Sequence, residues 1–284
     1  MNELNFTIPP AKSSYDAAAA MGFFKDAGSM ENIVAGKTIF AEDEKGNRLF
    51  SRRDKMYLLL EGEVGITVKG KPVGTVREGE IFGEMAFITQ TARSATATAK
   101  TACSIIALDD KQFHSALRKI PEFSLTLMSI MIVRLREMIA RLKADGALSA
   151  EEECKESGVF DKKLLAELVR ELGDGARMRC GKGKVIVQEG QAGILMYVVL
   201  EGHVAIAIQN NVVGKVGPGG MFGEMALIER TERLASATAE TDCSLLAINR
   251  NVFLDLVRGN PEFGVALLSA VGERARFMAS RYVQ

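Results

Sequence analysis

The chain has 284 residues, 47% of them apolar, which is enough for two domains with their own hydrophobic cores. Lysine plus arginine (36) balances aspartate plus glutamate (36), which argues against the nucleic-acid-binding class because such proteins usually carry a basic excess. No apolar run reaches the ~20 residues of a membrane-spanning helix, and no basic-then-apolar signal peptide opens the chain, so the sequence predicts a cytoplasmic protein without a membrane partner.

The first half of the chain is predicted to be rich in strands and then helical. From Met56 onward, short stretches of valine, isoleucine and leucine are separated by glycines such as Gly62. These stretches predict short strands and tight turns, and small domains of this type close as barrels or jelly rolls. After Ala107 the periodicity changes, and FHSALRKI predicts one short helix. Pro121 suits the first turn of a longer helix, which the apolar spacing predicts over 122–144.

An acidic and polar segment at 147–158 marks the predicted boundary between two domains. We place the first domain at 1–146, with its last helix as lid and linker, and the second at 147–284. A helix over 160–172 is predicted to open the second domain, and the pattern of strands and helices then recurs.

The recurrence is a sequence repeat with the size of a domain. Residues 56–138 and 196–278 align without a gap, and 37 of the 83 aligned positions are identical. MYLLLEGEVGI, for example, matches MYVVLEGHVAI. A period of this length indicates a duplicated domain rather than a solenoid. We therefore predict a mainly β protein with flanking helices, made of two jelly-roll β-barrel domains in tandem.

Each repeat carries the segment FGEMA, with an arginine nine residues after the glutamate. The glycine lets a ligand approach the backbone, and the residues after it can start a helical turn whose N–H groups attract anions. The arginine offers a planar fork of donors for phosphate oxygens. Because a carboxylate repels phosphate, the glutamate needs another partner, and a sugar hydroxyl is the natural one. The segment therefore predicts a site for a ribose and a phosphate together.

The candidate ligand-binding residues are Gly83, Glu84, Met85, Ala86, Arg93, Ser94 and Ala95 in the first repeat and Gly223, Glu224, Met225, Ala226, Arg233, Leu234 and Ala235 in the second. A plainer interpretation is that Glu84 and Arg93 only pair with each other on a surface turn. Both repeats keep the pair and its spacing although the intervening residues differ (FITQTA and LIERTE), which favours the ligand site.

These motifs resemble the cyclic-nucleotide-binding domain family, which includes protein kinase A regulatory subunits and the sensor domains of catabolite activator proteins. FGEMA followed by RSAT or RLAS resembles the family's phosphate-binding cassette, and the resemblance extends over 31–138 and 177–282. It implies eight-stranded jelly rolls in which the two glutamates bind the ribose 2′-hydroxyl and the two arginines bind the cyclic phosphate. The helices over 122–144 and 262–282 would cover the base.

The implied ligand is a cyclic mononucleotide, above all cyclic AMP, with up to two per chain and no cofactor. Ser94 offers a hydroxyl to the phosphate or to a guanine edge, so cyclic GMP stays open for the first repeat. Leu234 offers only its backbone N–H, which favours adenine in the second repeat. Tyr282 is a candidate lid for the second base, and a surface tyrosine at the end of a helix is the plainer interpretation.

No catalytic or metal site is predicted. A metal-dependent cupin needs a cluster of histidine and acidic ligands, and the chain has two histidines, His114 and His203, at non-equivalent positions. The 34 residues after Arg250 are too few for a helix-turn-helix beyond the domain's own last helices. The sequence thus predicts a sensor without its own output domain that signals to an unknown protein effector through movement of helices and domains.

Two alternatives stay open. The repeats could be a degenerate tandem that acts as an interaction scaffold, although both retain the glutamate and the arginine. The ligand could also be cyclic GMP or a cyclic dinucleotide, for which Arg230 offers an additional cation in the second repeat only.

Overall fold

The structure, a computed structural model, describes residues 17–44, 55–144, 146 and 158–282. The chain divides into two compact units. As far as their residues are described, the amino-terminal unit comprises 15–127 and 272–276, and the carboxy-terminal unit comprises 128–271 and 277–284.

The first repeat folds into two four-stranded antiparallel sheets with helices around them. Its described helices are α1 (Ala17–Ala27), α2 (Glu84–Thr89), α3 (Asp110–Leu117) and α4 (Phe123–Ala144). Its described strands are β1 (Ser29–Ile33), β2 (Thr38–Phe40), β3 (Lys55–Glu61), β4 (Val64–Val68), β5 (Lys71–Val76), β6 (Ile81–Phe82), β7 (Thr96–Ala99) and β8 (Cys103–Asp109). The strand orders in the two sheets are β1-β8-β3-β6 and β2-β7-β4-β5.

The second repeat has the same two sheets. Its described helices are α5 (Lys162–Leu172), a 3-10 turn (Asp174–Ala176), α6 (Glu224–Glu229), α7 (Arg250–Gly259) and α8 (Pro261–Tyr282). Its described strands are β9 (Arg177–Cys180), β10 (Val185–Val187), β11 (Leu195–Glu201), β12 (Val204–Ile208), β13 (Asn211–Val216), β14 (Met221–Phe222), β15 (Ser236–Ala239) and β16 (Cys243–Asn249). The strand orders are β14-β11-β16-β9 and β10-β15-β12-β13.

The pairing register is the same in the two repeats. Tyr57 lies opposite Phe82 across β3 and β6, and Tyr197 lies opposite Phe222 across β11 and β14. Since a slip of one residue would turn every core side chain to the other face, the shared register shows that the sequence repeat is also a structural repeat. The predicted fold class, two mainly β jelly rolls in tandem with flanking helices, is confirmed.

Each core lies between the two sheets of its repeat, because alternate side chains of every strand point inward. In the first repeat the core includes Leu59, Val64 and Ile105, and in the second their counterparts fill the same layer. Cys103 and Cys243 are buried in these cores, as expected of small apolar side chains.

The apolar periodicity predicts α4 closely, whereas α3 begins three residues before the predicted segment FHSALRKI and α1 was not predicted. A capping box formed by Asp109 and Gln112 starts α3, and α4 begins at Phe123, one residue after the predicted start. Phe123 stacks on Phe23 of α1 with ring centroids 3.7 Å apart. No described helix combines the length with the apolar character that a bilayer crossing requires.

Helix α4 contributes to both units. Its beginning, through Leu127, belongs to the amino-terminal unit, and from Met128 onward it belongs to the carboxy-terminal unit. The division of the chain at residues 146 and 147 therefore stays a prediction. From Met128 onward, α4 belongs to the same compact unit as most of the second repeat.

Candidate functional site

The FGEMA segment forms a very short helix with a left-handed residue at each end. Gly83 precedes α2 with φ 73°, and Gln90 follows it with φ 53°. Gly223 precedes α6 with φ 85°, and the exposed Arg230 follows it with φ 55°. Glycine adopts positive φ without strain, whereas a side chain at the leading position would be strained. Both repeats thus build the same tight turn around the glutamate.

The glutamate and the arginine of each repeat are buried. Glu84 and Glu224 are 0% and 1% exposed, and Arg93 and Arg233 are 5% and 8% exposed. The two side chains therefore do not lie on an exposed surface turn. Burial of a charged side chain is unfavourable unless neighbouring groups compensate for the lost water, so two such side chains in one small segment mark a specialised site.

Two backbone carbonyls hold the guanidinium of Arg93. Its Nη1 donates to the carbonyl oxygen of Gly83 and its Nη2 to that of Lys55, both at 2.8 Å. The guanidinium carbon also lies 4.3 Å from the ring centroid of Phe40, which gives a cation–π contact. These contacts fix the plane of the guanidinium beside the first turn of α2.

The second repeat reproduces this arrangement. Arg233 Nη1 donates to the carbonyl oxygen of Gly223 and Nη2 to that of Leu195, both at 2.6 Å. Burial lowers the pKa of the Arg233 guanidinium, and the neighbouring Tyr197 and Glu224 act in the opposite direction. The structure therefore brings the predicted glutamate and arginine of this repeat into electrostatic contact.

The backbone of each arginine is also fixed. The carbonyl of Arg233 accepts a hydrogen bond from Gly190 N–H at 2.9 Å, and its own N–H donates to Gln191 O at 2.8 Å. Arg93 makes the equivalent two bonds with the turn at 43–44. Backbone and side chain are therefore held together, which is the preorganisation that an anion site requires.

Sequence reasoning missed several residues that shape this site. A Cβ at Gly193 would lie 2.3 Å from Arg233 Nε, so only glycine leaves room for the guanidinium to cross the backbone there. Phe40 and the carbonyls of Lys55 and Leu195 were missed as well. Backbone acceptors leave no signal in side-chain identity, and nothing in the sequence around Gly193 distinguishes it from a turn glycine.

The other predicted residues lie in the same short helix or directly after the arginine in both repeats. Ala86 and Ala226 are buried in α2 and α6, and the four residues at 94–95 and 234–235 lie between the arginine and the next strand. Ser94 is exposed, whereas Leu234 is half-buried. The side chain of Tyr282 lies outside the described residues. Within the described ranges, no group of three or more histidine, cysteine or acidic side chains could hold a metal ion.

Comparison with known proteins points to one family. The chain matches the family described as "Cyclic nucleotide-binding domain" at residues 30–119 and 177–260. A cGMP-dependent protein kinase of Toxoplasma gondii is 27% identical over 244 residues, which cover 86% of this chain and 21% of the kinase. The chain thus spans about a fifth of the length of that relative.

Solved structures of regulatory proteins are also similar. The regulatory domain of Toxoplasma gondii PKA in a co-crystal with cAMP is 22% identical with a TM-score of 0.32, over 87% of this chain and 88% of that one. The regulatory subunit of a cAMP-independent protein kinase A from Trypanosoma brucei is 21% identical with a TM-score of 0.31, over 90% of each chain.

Proposed function

The chain belongs to the cyclic nucleotide-binding domain family, and from this premise we propose that each repeat binds one molecule of cyclic AMP as a regulatory signal. The observation that carries the proposal is the buried glutamate and arginine of each repeat, held in the same geometry twice. The proposed role is binding and signalling rather than catalysis.

The arginine is suited to the cyclic phosphate. Burial disfavours a charged guanidinium, so an anion brought next to Arg233 would relieve part of that cost. The carbonyls of Gly223 and Leu195 hold the guanidinium in place before the ligand arrives, which reduces the entropy lost on binding. A fixed cation therefore meets the single negative charge of a cyclic phosphodiester.

The glutamate is suited to the ribose. An ionised carboxylate only accepts hydrogen bonds, and it repels phosphate. A ribose 2′-hydroxyl donates one, so Glu84 and Glu224 would orient the sugar while the arginine holds the phosphate. This pairing distinguishes a ribonucleotide from its 2′-deoxy analogue.

The base preference is proposed from the residue after the arginine. Leu234 is half-buried and has no side-chain group to bond a guanine edge, which supports adenine in the second repeat. Ser94 has a hydroxyl at the matching position, so cyclic GMP is the specific alternative ligand for the first repeat.

The regulatory step is a shift between two conformations. A ligand that binds one conformation of the cassette more tightly than the other shifts the population towards it. We propose that a protein effector in the cytoplasm reads this shift. The effector and the activity of any longer protein stay proposals, because the chain covers only 21% of the kinase it resembles.

The test is calorimetric titration of the intact chain with cyclic AMP and, separately, with cyclic GMP. We expect two sites, of which Arg93→Ala removes the first and Arg233→Ala the second, at a cost of about 2–5 kcal/mol each. Arg118→Ala, an exposed arginine of the first repeat, is the matched control and should bind as the intact chain does. If the intact chain binds neither nucleotide, the scaffold interpretation replaces this one.

A further inference from the structure

Helix α4 makes polar contacts with the loop that precedes Arg233. Ser129 Oγ donates a hydrogen bond to the carboxylate of Glu229, and both side chains are buried. Arg136 Nη2 donates to Thr231 Oγ1 and, at 3.1 Å, to the carbonyl oxygen of Glu232. One helix therefore holds Glu229, the last residue of α6, and two of the three residues between it and the phosphate-binding arginine.

The same helix also contacts the segment on the other side of Arg233. Lys143 Nζ lies 2.7 Å from Glu189 Oε1. Glu189 directly precedes Gly190, whose N–H donates to the carbonyl oxygen of Arg233. The loop that precedes Arg233 and the segment that bonds its backbone are thus both tied to α4.

The first repeat differs at the corresponding positions. Glu229 and Glu232 correspond to Thr89 and Ala92, so the acidic residues occur in the second cassette only. Thr89 Oγ1 bonds the carbonyl of Met85 at 2.8 Å and the Thr91 hydroxyl at 2.7 Å, both within its own cassette. The first cassette satisfies these groups locally, whereas the second uses partners from α4.

Arg136 bonds two residues of the loop, Thr231 and Glu232, and also interacts with its carboxylates. Burial lowers the pKa of its guanidinium, and the carboxylates of Glu229 and Glu232 act in the opposite direction. Removal of the half-buried Arg136 takes away a cation that compensates the buried carboxylate of Glu229, which is more costly than loss of an exposed pair. The loop should therefore shift if Arg136 is removed.

We propose that Arg136 is a positioning residue of the second nucleotide site: it fixes the loop at 229–232 so that Arg233 is already in place when the phosphate arrives. This inference rests on the proposed function of that site, since it assigns how the site is held and not what it binds. Arg136 itself does not contact the ligand in this proposal.

The first measurement needs no ligand. Hydrogen exchange of the backbone amides at 229–235 is compared between the intact full chain, Arg136→Ala, Arg136→Lys and the control Arg141→Ala. Arg141 lies exposed on the same helix, so its removal alters charge without touching the cassette. We expect faster exchange in Arg136→Ala, partial recovery in Arg136→Lys and no change in Arg141→Ala. Unchanged exchange in Arg136→Ala overturns the proposal.

The second measurement is affinity for cyclic AMP. In a chain that carries Arg93→Ala, so that only the second site binds, Arg136→Ala should weaken binding by about 2- to 30-fold. In a chain that carries Arg233→Ala, the same change should leave the first site unaltered. An equal loss of affinity at both sites, together with a lower unfolding temperature, would indicate general destabilisation and overturn the proposal. Failure of the chain with Arg136 intact to bind any nucleotide counts against the proposed function instead, and the exchange result then decides the role of Arg136.

Discussion

The guanidinium of Arg233 crosses the backbone at Gly193 so closely that a Cβ at this glycine would lie 2.3 Å from Nε and 2.4 Å from Cζ. Atoms cannot approach to that distance, so any larger residue at position 193 displaces the arginine. Because a long side chain moves more easily than the backbone, the displacement affects the site more than the fold.

The first prediction follows from this contact. Gly193→Ala should lower the affinity of the second site for cyclic AMP by about tenfold or more, since a misplaced guanidinium loses a charged contact worth more than 1.4 kcal/mol. Titration calorimetry in the Arg93→Ala background measures it. Gly175→Ala is the control, because a Cβ there has no atom within 4 Å. Full affinity in Gly193→Ala would show that Arg233 does not hold the phosphate.

The second prediction concerns Glu224 and the sugar. Glu224→Gln should weaken binding of cyclic AMP at the second site by about 1–3 kcal/mol, because a charged acceptor for the 2′-hydroxyl is replaced by a neutral one. With 2′-deoxy cyclic AMP as ligand, the same substitution should have little effect, since the hydroxyl is absent. The coupling is measured as a double-mutant cycle, in which one change is Glu224→Gln and the other is loss of the 2′-hydroxyl from the ligand. Equal losses with both ligands would place the ribose elsewhere.

The third prediction concerns base preference. Exchange of the residue after each arginine should move the ratio of cyclic GMP to cyclic AMP affinity in opposite directions: Leu234→Ser should raise it in the second site and Ser94→Leu should lower it in the first. A hydroxyl supplies a hydrogen bond that an apolar side chain cannot. Competition binding with both nucleotides measures the ratio, each in a background where the other site is silent. If neither ratio moves, the base is chosen by other residues.

The fourth prediction concerns Cys180, which lies opposite Cys243 across β9 and β16. Burial raises the pKa of the Cys180 thiol, and the neighbouring Cys243 and Asp242 act in the same direction. Because the thiolate is the reactive form, iodoacetamide should modify Cys180 more slowly than free cysteine at about pH 8, and the rate should keep rising to higher pH. Mass spectrometry follows the reaction site by site.

Asp242→Asn is the matched change for this thiol. It removes a negative charge, lowers the pKa of Cys180 and should speed the alkylation at about pH 8, while the amide oxygen can still accept the hydrogen bond from Lys182 N–H. If Cys180 in the unsubstituted chain reacts as fast as free cysteine, its pKa is not raised and the prediction is wrong.

The sequence predicted the repeated jelly roll, because short apolar stretches separated by glycines occur in the same order twice. It also singled out the glutamate and the arginine of each cassette, since both repeats keep the pair at the same spacing. Helix α4 was predicted within one residue of its observed start. These features depend on side chains that are local in the sequence.

The contacts that hold the arginines were not predictable in the same way. The carbonyls of Lys55 and Leu195 are 38 residues from the arginines they bind, and a carbonyl is present at every position whatever the side chain. The contact of Arg136 with Thr231 spans 95 residues. Such pairs come together only through the tertiary fold, and a single sequence does not indicate which distant residues are in contact.

The position of α4 also bears on how this chain can be divided. The aligned repeat at 56–138 includes most of α4, whereas the contacts of Ser129, Arg136 and Lys143 join that helix to the second cassette. The sequence repeat and the compact unit therefore have different borders. A protease cut within 145–157 would separate α4 from the second repeat in the chain, so the second cassette would depend on a helix of the other fragment. A fragment that starts at residue 147 would lack α4 altogether. A fragment that starts before Phe123 retains it.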